Sequence, residues 1–195
     1  MFPASSMPDN DWWHCLWSDP KSTIDSLELP RSTKIAVDLC CGNGMFTPYL
    51  SRFADTVYGI ELSSELMEEA KNFCYKMGIG EKCSWIVGDA MLLPTYFTEK
   101  VDLIFMANTF HGIPCKEDMI RKMAEVLSPI GEIVIINWYR LSREDTVVLD
   151  KPRGPGFELR MNPDDVEKLF APFGFVATKK IDVTPFHYAI VLKML

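Results

Sequence analysis

Apolar residues in this chain gather in short solid runs, separated by segments in which they recur every three or four positions. Ile35, Ala36, Val37 and Leu39 form one run, broken by a single acid, Asp38. Thr56–Leu62, Cys83–Val87, Val101–Ala107 and Glu132–Trp138 form four more. Runs this short are strands, and the most apolar of them suit burial on both faces of a sheet. Between them lie helical patterns. Tyr49, Leu50 and Phe53 give a short amphipathic helix, and Ser63 or Ser64 caps another that Gly78 stops after Met77. Met119, Ile120, Met123, Val126 and Leu127 give a helix over Cys115–Leu127. Asp19-Pro20 opens a short helix to Leu27, and Asn162-Pro163 opens one carrying Val166, Leu169 and Phe170. Phe175–Val183 and Phe186–Met194 then read as two strands joined at Thr184-Pro185. The alternation predicts an α/β fold: one doubly wound, mostly parallel sheet with helices on both faces. Ligands of such sheets lie beyond the carboxyl ends of the strands.

The 195 residues fit one domain, 1–195, with an N-terminal arm and helix over 1–30 and a long loop over 139–160. Hydrophobic residues at 48% and charged residues at 24% suit a water-soluble globular chain. A formal net charge of −7, without runs of Lys or Arg, argues against a nucleic-acid partner. No run reaches membrane-span length, and the first ten residues lack the basic and apolar parts of a signal peptide. The six cysteines follow no C-x-x-C spacing, so they read as reduced core residues of a cytoplasmic protein with no metal site. Trp12, Trp13 and Trp17 crowd the start of the chain, either packing on the core or covering a ligand cleft as a lid.

The first strand ends in Asp38-Leu39-Cys40-Cys41-Gly42-Asn43-Gly44. A glycine turn there lets a ligand approach the backbone, and the free N–H groups of the next helix suit an anion. A dinucleotide fingerprint needs a third small residue, but Met45, Phe46 and Thr47 follow Gly44, and the Gly-Lys-Ser/Thr of a phosphate loop is absent. The acid within the strand suits a ligand with an amino group. Glu61 ends the second strand, 17 residues after Gly44, where an acid bonds ribose hydroxyls in such folds.

This turn resembles motif I of the class I S-adenosylmethionine-dependent methyltransferases, with Cys40 where the family most often has its first glycine. Gly88-Asp89-Ala90-Met91-Leu92-Leu93-Pro94 matches the family's adenine-side segment. Asn108-Thr109-Phe110-His111-Gly112 resembles a histidine segment of small-molecule methyltransferases related to ubiquinone and menaquinone biosynthesis. Leu127-Ser128-Pro129-Ile130-Gly131 resembles the turn before the family's fifth strand.

The resemblance implies a seven-stranded Rossmann-like sheet with a C-terminal antiparallel hairpin. It also implies in-line methyl transfer from S-adenosylmethionine to a small molecule. Under it, Asp38, Cys40, Gly42, Asn43 and Gly44 hold the methionine moiety, Glu61 and Leu62 the ribose, and Asp89 and Ala90 the adenine, with Asn108 nearby. His111 is the expected base, with Tyr139 a weaker candidate. Trp12, Trp13, Arg153 and Arg160 would face the acceptor, the arginines meeting a carboxylate, phosphate or other anion. The expected state is a monomer or homodimer acting away from nucleic acid and membrane. Other readings are a non-catalytic S-adenosylmethionine sensor or partner subunit, a nicotinamide oxidoreductase and an arsenite methyltransferase.

Overall fold

A computed structural model describes residues 8–195; the first part of the expected N-terminal arm lies outside them. Seven strands form one sheet: β1 Thr33–Leu39, β2 Ala54–Glu61, β3 Cys83–Val87, β4 Val101–Ala107, β5 Leu127–Trp138, β8 Phe175–Thr184 and β9 His187–Met194. Their spatial order is β3-β2-β1-β4-β5-β9-β8. The first five run parallel, whereas β9 is antiparallel to β5 and to β8. The chain begins in the middle of the sheet, works outward to β3, then returns to the far side of β1 through β4. The point of reversal lies between β1 and β4, and the candidate residues at strand ends surround it.

The helices are α1 Asn10–Leu16, α2 Pro20–Ser26, α3 Thr47–Leu50, α4 Ser64–Lys76, α5 Lys116–Val126 and α6 Pro163–Phe170. Capping follows the expected chemistry. Asp19 accepts from the Ser22 N–H at 2.9 Å, and Ser63 from the Leu66 N–H at 3.2 Å. Asp165 accepts from the Asn162 N–H at 2.9 Å, so α6 starts where Asn162-Pro163 predicts. Two cores result. Met119, Ile120 and Met123 of α5 and Val166 and Phe170 of α6 cover one face of the sheet. Trp13, Trp17, Ile24, Leu27 and Leu50 cover the other.

Four features differ from expectation. The stretch before Asp19, expected as an arm ahead of the helix, already holds a helix from Asn10, because Trp13 and Trp17, four apart, anchor it in the core. The segment from Leu127 to Gly131 is not a free turn. It is the start of β5, where Val101 pairs with Leu127 and the register then shifts at a bulge. The 139–160 loop contains a small hairpin, β6 Val147–Val148 with β7 Lys151–Pro152. All six cysteines are free thiols, and Cys15 and Cys115 are exposed instead of belonging to the core. Among the described residues no helix is long and apolar enough to cross a membrane.

Candidate active site

The carboxyl ends of β1, β2, β4 and β5 open into one cavity of about 480 Å³. Asp38 sits at its base, 2% exposed, in register with Gly59 of β2 and Phe105 of β4. The Thr47 hydroxyl donates to its Oδ2 at 2.6 Å. Burial pushes the Asp38 carboxyl up to about 7; the Thr47 bond opposes that shift and the Glu61 carboxylate adds to it. Glu61, itself buried, pins the turn to the end of β2. Its Oε2 accepts from the Gly42 N–H at 2.9 Å, and its Oε1 from the N–H groups of Leu62 at 2.9 Å and Ser63 at 3.1 Å.

The turn itself is tightly specified. Gly44 has φ +80°, and a Cβ there would lie 2.8 Å from the Ala70 Cβ of α4. Its small size thus serves helix packing; it does not line the cavity. Cys40 adopts φ 62° in spite of its side chain, at the position where the related motif usually has glycine. Asn43 lines the cavity with its Oδ1 buried and without a hydrogen-bond partner.

At the end of β4, Asn108 takes φ 57° while its N–H donates to the Ile136 carbonyl of β5 at 2.9 Å. Both polar atoms of its amide are buried and have no partner among the described residues, and the residue lines the cavity. His111 follows on a single 3₁₀ turn, Phe110–Gly112. Its Nδ1 lies 3.1 Å from Oδ1 of fully buried Asn137, an oxygen that also accepts from the Trp138 N–H at 3.0 Å. An amide oxygen only accepts, so Nδ1 carries the proton and Nε2 keeps a lone pair. Burial lowers His111 to about 4, against the Asn137 bond, with the Lys116 and Arg160 cations acting in the same direction as burial.

The opposite wall comes from α1 and the long loop. Trp12, Trp13, Trp138, Arg143, Arg153, Gly154 and Pro155 all face the cavity. Arg153 lies 5.0 Å from the Trp12 ring, tying the loop to α1. Arg160 does not line the cavity. It is 1% exposed and acts as the hub of the loop, donating to the Pro155 carbonyl at 2.9 Å, the Thr146 hydroxyl at 3.0 Å and the Arg153 carbonyl at 3.0 Å. The expected direct contact of Arg160 with an anion is thus replaced by a scaffolding place one layer behind.

Ten of the expected residues meet in this cavity: Asp38, Cys40, Gly42, Asn43, Glu61, Asn108, His111, Trp12, Trp13 and Arg153. Leu62, Asp89 and Ala90 line a separate narrow cavity of about 20 Å³, which shares Cys40 and Glu61 with the main one. Asp89 also caps its 3₁₀ turn through the Met91 N–H at 2.8 Å. Tyr139 stands apart. Its hydroxyl donates to Asp182 in a surface hollow of its own, and burial, with that carboxylate adding to it, raises it to about 12. The reason lies in β5, which ends at Trp138, so the neighbouring side chains fall on opposite faces and only Trp138 reaches the cavity. Trp138 and Arg143 were missed. Trp138 had a signal, since it ends a strand as Asp38 and Glu61 do.

Comparison with known proteins agrees with this geometry. A family model described as a methyltransferase domain matches residues 36–131. The chain is 28% identical over 123 residues to a probable tocopherol O-methyltransferase, chloroplastic, of Oryza sativa subsp. japonica, covering 63% of this chain and 34% of that protein. It is 26% identical over 153 residues to the 27-O-demethylrifamycin SV methyltransferase of Amycolatopsis mediterranei, covering 72% of this chain and 53% of that protein. The chain thus spans about a third to a half of the length of these relatives. Among solved structures, a SAM dependent methyltransferase from Aquifex aeolicus superposes with a TM-score of 0.75 at 21% identity, over 96% of this chain and 95% of that one. Motif, sheet order and family match converge on the S-adenosylmethionine-dependent methyltransferases of Rossmann-like fold.

Proposed function

We propose that this chain transfers the methyl group of S-adenosylmethionine to a small-molecule acceptor bound in the main cavity, working as one cytoplasmic domain, monomeric or homodimeric. The observation that carries the reading is the set of unsatisfied groups around the cavity. Among the described residues the buried Asp38 carboxyl has no cation beside it, and Asn43 Oδ1 and both amide atoms of Asn108 have no hydrogen-bond partner; all three residues line a space large enough for a ligand. Buried polar groups without partners are costly, and a polar ligand with an ammonium group would supply the missing bonds. The residues therefore suit the cofactor. Asp38 would take the ammonium of its methionine moiety, Glu61 the ribose hydroxyls, and Asp89 the adenine amino group once the narrow cavity widens.

When bound, the sulfonium supplies an already activated methyl group, so the chain's own residues align and protect. Trp12, Trp13 and Trp138 keep water from the acceptor's side. His111 holds a lone pair on Nε2 and can receive the proton of an acceptor hydroxyl or amine. Its low basicity is no bar: a nucleophile becomes strongly acidic as it forms its new bond to carbon, and a weak base then suffices. Asn137 keeps that lone pair on the correct ring nitrogen.

Calorimetric titration of the full chain with S-adenosylmethionine, S-adenosylhomocysteine and NADH, repeated on Asp38→Ala, tests the reading. Saturable binding of both sulfur ligands that is lost in the variant is the expected result. Binding of NADH alone would move the protein to oxidoreductase chemistry, and failure of both sulfur ligands to bind would overturn the proposal.

A further inference from the structure

The main cavity is chemically divided. Its base holds the acids Asp38 and Glu61, whereas the wall built by the long loop holds Arg143 and Arg153, with Arg160 behind them. Among the described residues none of these three arginines forms an ion pair, although Arg52, Arg121, Lys179, Lys180 and Lys193 each have one. Asp9 also lines the cavity, yet it pairs with none of the three. In a chain of net charge −7, three guanidinium groups without a contact ion pair gather at one wall, and Glu144 is the loop acid that acts on Arg160 from a distance.

Arg160 is the informative member. Its guanidinium is buried among neutral acceptors and rests 5.1 Å from the Trp138 ring, while its Nη1 has no hydrogen-bond partner among the described residues. Burying a cation without a counter-ion is expensive, and the expense persists only where something offsets it. The partition between this charge and the cavity is thin. Gly154, at φ +89°, lines the cavity, and a Cβ there would come within 2.9 Å of both Arg160 Nη2 and the Trp138 ring. Arg153 is held at three points: its N–H donates to the Thr146 carbonyl at 2.9 Å, and its carbonyl accepts from the Thr146 hydroxyl at 2.7 Å and from Arg160 at 3.0 Å. Its terminal nitrogens make no hydrogen bond among the described residues, and only Nε reaches a carbonyl, that of Val148 at 3.5 Å.

We propose that the methyl acceptor carries an anionic group, a carboxylate or phosphate, that is seated against Arg153 and Arg143, with Arg160 positioning Arg153 and supplying a fixed positive field behind it. This rests on reading the cavity as the methyl-transfer site and names the class of acceptor it takes. The anion lies at the end away from Asp38, so the methylated atom is a different one, set between the anion seat and His111.

The test uses the fluorescence of the cavity-wall tryptophans in the full chain, saturated with S-adenosylhomocysteine and titrated with benzoate, phenyl phosphate or benzamide. The expected result is saturable quenching by one or both anions, the stronger identifying the preferred group, and none by benzamide. Arg153→Met and Arg143→Met should each weaken anion binding ten-fold or more while leaving the affinity for S-adenosylhomocysteine unchanged. Arg153→Lys should recover part of the loss, and Arg160→Met should reproduce it together with faster tryptic cleavage of the 139–160 loop. Equal binding of benzamide, unchanged anion affinity in both cavity-facing variants, or no anion binding by a protein that takes S-adenosylhomocysteine would overturn the proposal. Failure to take S-adenosylhomocysteine overturns the methyl-transfer reading instead, and the same titration without it still decides the anion seat.

Discussion

Asp38 carries its charge where charge is expensive. Its folded-state value near 7 stands above the 3.8 of the free side chain, so the folded state holds this proton through a range in which the unfolded chain has lost it. The carboxyl therefore lowers stability as pH rises from about 4, and the full effect, on the order of 4 kcal/mol, is reached above pH 7. Asp38→Asn is expected to raise the urea midpoint at pH 8, to change it far less at pH 4.5, and to abolish binding of S-adenosylhomocysteine at both. A residue kept at such a cost to folding fits the ligand-binding role proposed for it. Gly44 shows a residue that the fold itself requires. A left-handed backbone and the Ala70 Cβ 2.8 Å away make Gly44→Ala destabilising by roughly 2–4 kcal/mol, measurable by urea unfolding. Asp38, Glu61 and Asn108 were legible because each ends an apolar run. That Gly44 faces Ala70 was not, since nothing in the sequence aligns a turn with the middle of a helix 26 residues on.

At the scale of elements, periodicity located what is locally determined and failed where distant contacts decide. β4 and β3 have the bounds their apolar runs predict, whereas β5 starts five residues early. There Ser128 donates to Asp102 at 3.1 Å, across 26 residues, and draws a turn-like sequence into the sheet. The long loop is similar. Its shape depends on Arg160 reaching Thr146, a pairing that no local pattern announces. The N-terminal helix makes a comparable long-range commitment: Trp17 lies 4.7 Å from the His187 ring and 5.2 Å from Phe46, on two other elements. Trp17→Ala should destabilise by about 3–5 kcal/mol, and in thermal unfolding its effect should exceed that of any single change in the loop hairpin.

Across the whole molecule, acid stability turns on three buried groups. His187 is fully buried, with its ring 4.0 Å from that of Trp138, and burial holds it well below 6.5, with His111 and Arg160 reinforcing the shift. His111 is lowered to about 4. Both histidines are neutral in the folded state and protonate on unfolding below pH 6.5, so each removes stability as pH falls through that window. Asp38 acts in the opposite direction over nearly the same range. Two losses against one gain leave a net decline in stability as pH falls below 6.5. His187→Phe is expected to flatten that slope in urea titrations made at successive pH values, and His187→Phe combined with Asp38→Asn to restore it.

The hub at Arg160 has a consequence for descent as well as for stability. The seat around Asp38 and Glu61 is tied within itself and to α4, while the loop closes on its own guanidinium and meets the sheet through Trp138 and through Tyr139, which bonds Asp182 and packs on Tyr188. The two halves of the cavity are thus separately heritable. Selection can replace the loop as a cassette, hub included, and give the molecule a new acceptor without disturbing the machinery that presents the methyl group.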